Sequence, residues 1–189
     1  MNIPETIPSA RLVLERPHPP TLALAGEIFA AIDRSRATLR VWLPIFDAIL
    51  RPEDELRFLE GPCTRGWESG RVFPYAIRLA STREFAGIVS LENVSDPDRS
   101  AEIGYWLDDA HVGRGFMREA VLALERTAFA AGFHRLAICN DTRNVRSANV
   151  ALRTGHRLDG ILRQNRWLPR ESRYADSNVF SRLSTDPAP

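Results

Sequence analysis

"HVGRGFMREA", residues 111–120, decides how this chain folds. Two glycines flank an arginine, and an amphipathic run follows at once. A phosphate cradle is built from such parts. Glycines let the backbone approach an anion. The first N–H groups of a helix have no internal partner and point outward, and arginine adds charge. Val121, Leu124, Ala128 and Ala131 share one stripe, which predicts a helix over 116–131. "AEIGYWL" at 101–107 alternates ahead of it and predicts a strand. Strand, glycine loop, helix is thus the central unit. The loop is not G-x-x-x-x-G-K-[ST], nor G-x-G-x-x-G, because Arg118 stands where a third glycine belongs. Taken alone, G-x-G also fits an ordinary turn.

The flanking segments extend the unit into an α/β pattern. "RLVLER" (11–16) predicts a short strand, stopped by Pro17, Pro19 and Pro20. Residues 21–39 carry helical spacing through Leu24, Ile28, Ala31 and Ile32, with Thr21 as the cap. "WLPIFDAIL" (42–50) reads as an apolar loop, and "RPEDELRFLE" (51–60) as a helix start with proline and acids in its first turn. Strands follow at 72–80 and 84–94, and again at 134–139. A short helix at 144–155 ends on Gly155, and 156–164 with 172–183 form a last antiparallel pair. The expected architecture is a central mixed, mostly antiparallel sheet flanked by helices. Residues 9–183 read as one domain and 184–189 as a flexible tail, with no repeat or linker between.

Composition narrows the function. The 189 residues carry a formal net charge of +1, which argues against nucleic acid or an anionic membrane as partner. All 25 basic residues are arginine, so no lysine amine is available for Schiff-base chemistry or self-acylation. Cys63 and Cys139 lie far apart, and the four histidines show no ligand spacing, so neither a disulfide framework nor a metal site is expected. With no signal-like N-terminus and no apolar run of about 18 residues, cytoplasm is the expected location.

Three stretches together resemble the GNAT family of acetyl-CoA-dependent N-acetyltransferases, and within it the RimJ/RimL-type branch. They are "ATLRVWLPIFD" (37–47), "AEIGYWLDDAHVGRGFMREAV" (101–121) and "NVRSANVALRTGHRLDGILRQ" (144–164). The resemblance spans roughly residues 9–183. The family's pyrophosphate loop has the pattern Q/R-x-x-G-x-G/A, and here "AHVGRG" departs from it at Ala110, with His111 as a candidate replacement. The resemblance implies that Val112, Gly113, Arg114, Gly115, Phe116 and Met117 wrap the coenzyme A pyrophosphate. It also implies that the backbone of Trp106 and Leu107 meets the pantetheine arm, with Asn144 alongside. Asn144 is equally placed to cap its helix. Arg40, Trp42, Leu43 and Phe46 fall on the segment that the branch uses on its substrate side.

Acetyl transfer to an amine needs a neutral amine, a polarised thioester carbonyl and a donor for the departing thiolate. Ser147 is the leading donor candidate and Tyr105 the second; strand alternation sends Tyr105 and Trp106 to opposite faces. Some relatives carry a glutamate after the L-R-Q segment, where Arg166 stands here, so Glu102 is the candidate base. An α-amine, with a pKa of about 7.7–8.0 against about 10.4 for lysine, is partly neutral at pH 7 and needs only a weak base. A protein or peptide N-terminus is therefore the favoured acceptor. A small amine (amino acid, polyamine or aminoglycoside) and a non-catalytic coenzyme A-binding module are the alternatives. The edges of the sheet allow a homodimer without requiring one.

Overall fold

A computed structural model describes residues 2–189. Strands β1 (Thr6–Pro8), β2 (Leu12–Glu15), β3 (Phe73–Leu79), β4 (Phe85–Ser95), β5 (Ser100–Leu107), β6 (Arg135–Asp141), β7 (Arg157–Leu168) and β8 (Arg173–Leu183) form a single sheet. Their order is β1-β2-β3-β4-β5-β6-β8-β7. Every neighbouring pair is antiparallel except β5 with β6, which run parallel. The expected mixed, mostly antiparallel α/β sheet is thus the observed one.

Helices cover both faces. Helix α1 (Leu22–Trp42) is capped by the Thr21 hydroxyl, which accepts from the Leu24 N–H, and turns Ala25, Ile28, Ile32 and Leu39 inward. With α2 (Pro52–Phe58) it packs Leu59, Phe46 and Phe85 into one core. On the other face lies α4 (Phe116–Ala130). Val121, Leu124 and Ala128 of its predicted stripe are fully buried there, against Leu14, Tyr75, Ile77, Val89, Leu91 and Ile103.

Some elements differ from the sequence reading. Helix α1 runs three residues further than expected and stops only at Leu43, because the next residue is Pro44 and a residue before proline is pushed out of helical backbone. Residues 44–47 make a 3₁₀ turn rather than a plain loop. A wide π-type turn holding Pro62 joins α2 to a short α3 (Thr64–Glu68) that the periodicity did not reveal.

Two features position the cleft. The β5–β6 pairing ends at Glu102 opposite Ala137, although both strands continue, so Ile103–Leu107 have no strand neighbour on that side. The chain then leaves β5 through Asp108, whose side chain is fully buried. Asp108 accepts from Arg34 of α1 (2.5 Å), from the Ser35 hydroxyl (3.2 Å) and from the Ala110 N–H (3.1 Å). Burial alone would raise the Asp108 carboxyl pKa, but these donors hold it below the ordinary carboxylate range. The Ser35 oxygen in turn accepts from the Asp109 N–H at 2.8 Å. The root of the glycine loop is thus bolted to α1. Asp108→Asn should lower stability by about 1–3 kcal/mol, the usual cost of weakening charge-assisted bonds at a buried site. Urea denaturation measures it, and a wild-type midpoint would show that the anchor is dispensable.

Candidate active site

Where β5 and β6 separate, the sheet opens into a cavity of about 1200 Å³. Its lining runs from the glycine loop, past Tyr105 and Asn140, to Trp42 and Phe46 on the α1 side.

The loop has the backbone that the sequence called for. Gly113 and Gly115 have φ of +83° and +76°, in the left-handed region that favours glycine. Gly115 is the N-cap of α4, and no side chain caps the helix. Its first N–H groups therefore face the cleft mouth with the dipole's positive end. Val112, Gly113, Gly115, Phe116 and Met117 line the cavity. Arg114 is exposed and outside the lining; its carbonyl accepts from Arg11 at 3.1 Å. His111 turns inward, buried beside Phe116 and 3.4 Å from Glu84, so it does not stand in for the missing side chain at Ala110. Three further arginines, Arg118, Arg146 and Arg153, line the cavity. The sequence reading passed over these three. Their signal was weak: arginines on the first turn of one helix and one heptad apart on the next.

Helix α5 (Val145–Arg153) carries the candidate donor. Asn144 is its N-cap, accepting from the Ser147 N–H at 3.1 Å, so the capping role is real, and the amide nitrogen remains free to donate to a ligand. Ser147 Oγ lies 2.9 Å from the Tyr105 hydroxyl, which also reaches the Ser147 carbonyl at 3.1 Å. Tyr105 therefore bridges the gap from β5 to α5. Burial pushes its phenol up to about 12, against the opposing effect of the Ser147 bond, so it stays protonated at neutral pH. Trp106 takes the opposite face, as alternation required, and packs on Phe46 and Phe85 at 5.5 and 5.8 Å between ring centres. Asn140 was not anticipated either. Its amide nitrogen donates to the carbonyls of Asp141 (2.9 Å) and Asn144 (3.1 Å), while Oδ1 is buried with no partner among the described residues.

On the α1 side, Glu102 accepts from Asn93 at 3.0 Å and borders the cavity. Trp42 and Leu43 are half-buried at its edge, and Phe46 is buried in the core beneath. Arg40 is exposed and does not reach the cavity. Arg166 of β7 does, and it donates to the Trp42 carbonyl. Among the described residues no His, Cys, Asp and Glu side chains gather as a metal ion requires. None of the described helices is long and apolar enough to cross a membrane.

Residues 11–157 match the family model for the acetyltransferase (GNAT) domain. The chain belongs to the GNAT acetyltransferase family. It is 36% identical over 101 residues to the ribosomal-protein-serine acetyltransferase of Escherichia coli, an alignment covering 53% of this chain. It spans only 55% of that relative's length. Two solved structures match more completely. An acetyltransferase from Salmonella typhimurium, described as modifying the N-terminal serine of ribosomal protein L7/L12, is 26% identical, with TM-score 0.83 and coverage of 95% of this chain and 99% of that one. A ribosomal L7/L12 α-N-protein acetyltransferase in complex with coenzyme A is 25% identical, with TM-score 0.86 and coverage of 96% and 100%.

Gly115→Ala should weaken coenzyme A binding at least tenfold, about 1.4 kcal/mol. A side chain disfavours the left-handed backbone that aims the loop amides. Calorimetry on the folded variant measures it; unchanged affinity would remove the loop from the phosphate site.

Proposed function

We propose that the protein transfers acetyl from acetyl-CoA to the α-amine of a protein or peptide N-terminus, in the cytoplasm. The observation that carries this reading is the gap between β5 and β6, with free helix amides and three arginines at one end and a hydroxyl pair in the middle. Coenzyme A fits that order. Its phosphates meet the 112–117 amides together with Arg118, Arg146 and Arg153. The pantetheine arm lies along the unpaired edge at Trp106 and Leu107, with Asn144 and Asn140 beside it. The thioester then reaches Tyr105 and Ser147.

Attack by the amine forms the C–N bond and a tetrahedral oxyanion. Collapse breaks the C–S bond. Ser147, backed by Tyr105, donates to the sulfur as charge builds there. An alkyl thiol has a pKa of about 8.5, and the phenol sits near 12. Full proton transfer from the phenol is therefore uphill by about 3–4 decades. The pair's task is a hydrogen bond to the leaving sulfur, with the proton following from water or the amine. Glu102 and the wall formed by Trp42, Leu43 and Phe46 face the acceptor side, with Arg40 exposed on the same helix end. The relatives' acceptor, a ribosomal-protein N-terminus, supports an α-amine over a lysine side chain.

Thiol release measured at pH 7 over a panel of amines tests the acceptor class. Free N-terminal peptides should outrun lysine side chains by roughly 10²-fold from the neutral fraction alone; preference for small amines would redirect the assignment. Ser147→Ala should slow turnover by roughly 10²–10⁴-fold with coenzyme affinity kept. A wild-type kcat would take Ser147 out of the mechanism.

A further inference from the structure

Three carboxylates reach the cavity on the side away from the glycine loop: Glu55 of α2, Glu92 of β4 and Glu102 of β5. Two are engaged. Glu92 accepts from the Ser90 hydroxyl at 2.6 Å, and Glu102 accepts from Asn93. Glu55 differs. It is only 5% exposed, and its carboxyl has neither a hydrogen bond nor an ion pair with any described residue.

That isolation stands out in this chain. The other deeply buried carboxylates each have an arginine: Asp108 has Arg34, Glu125 has Arg182 and Asp141 has Arg143. Burying a carboxyl with no partner costs stability unless something else answers it. The backbone alone gives no reason for a glutamate here, since Pro52, Glu53 and Asp54 already begin the helix. The Glu55 carboxyl oxygens open on the cavity, so a donor or cation that enters the cleft can reach them.

We propose that Glu55 receives the acceptor's ammonium group and takes its proton, with Glu92 and Glu102 extending the negative field along that end of the cleft. This rests on the amine-acetylation reading above. The ammonium gives one proton to Glu55, and the neutral amine attacks the thioester. The second nitrogen proton is lost as the C–S bond breaks and the sulfur is protonated. Glu55 returns its proton to water. The balance is one amide, one thiol and one released proton for each thioester and ammonium consumed. Burial pushes the Glu55 carboxyl up to about 7, near the working range of a general base.

Glu55→Gln keeps the shape and removes the charge. The folded variant should bind acetyl-CoA as the wild type does, while kcat/KM for a peptide with a free N-terminal serine falls about tenfold or more at pH 7, where roughly a tenth of an α-amine is neutral unaided. Glu55→Asp should recover part of the loss. By calorimetry on coenzyme-loaded protein, the wild type should prefer the free peptide to its N-acetylated twin, and Glu55→Gln should not. A folded Glu55→Gln enzyme within threefold of wild-type kcat/KM would overturn the proposal. If the wild type ignores α-amine peptides but acetylates a small amine, the acceptor reading fails by itself, and the same comparison on that amine decides Glu55. Should the Gln variant not fold or no amine turn over, carboxyl ¹³C resonances of the wild type decide. The Glu55 signal should move on adding free-amine peptide or butylamine and not on adding acetylated peptide; a signal indifferent to all three would overturn the proposal.

Discussion

Everything in this molecule depends on the place where β5 and β6 stop pairing. Parallel neighbours joined through a helix ordinarily continue their ladder. Here the ladder ends at Glu102 and Ala137 while both strands run on. The unpaired backbone of 103–107 would be costly if sealed in the interior, because buried peptide groups need partners. It is instead turned into the wall of a cavity, with Tyr105 reaching across to Ser147 as a brace. The Asp108 anchor fixes the far end of β5 to α1, so the glycine loop emerges in a set direction.

The cleft is also polarised. Arg118, Arg146 and Arg153 line it with the loop, and Glu55, Glu92 and Glu102 line it on the other side together with Arg166, whose guanidinium is engaged by the Trp42 carbonyl. An anionic coenzyme and a cationic amine would each be drawn to opposite ends, which orients both before they meet.

The sequence made the centre of this arrangement legible. Glycine chemistry is local, so the 113–115 loop and its helix could be read directly, as could the strands from their alternation. Alternation also predicted the split between Tyr105 and Trp106. What escaped was non-local. Nothing in residues 157–183 says that β8 inserts between β6 and β7. Strand β1 has three residues, too few to show a period, and α3 is hidden behind Pro62. Arg114 could be placed between the glycines, but not the exposed direction of its side chain, which the fold sets. Glu55 looked like one more acid in a first helical turn. Its burial is set by α1 and the sheet, which a reading along the chain cannot see.

Amide hydrogen exchange with and without acetyl-CoA tests the central claim most directly. If the coenzyme fills the gap between the strands, added protection should concentrate at Ile103–Leu107 and Val112–Arg118, with little change in β1, β2 or β7. Demonstrated coenzyme binding with those two segments unchanged would contradict it.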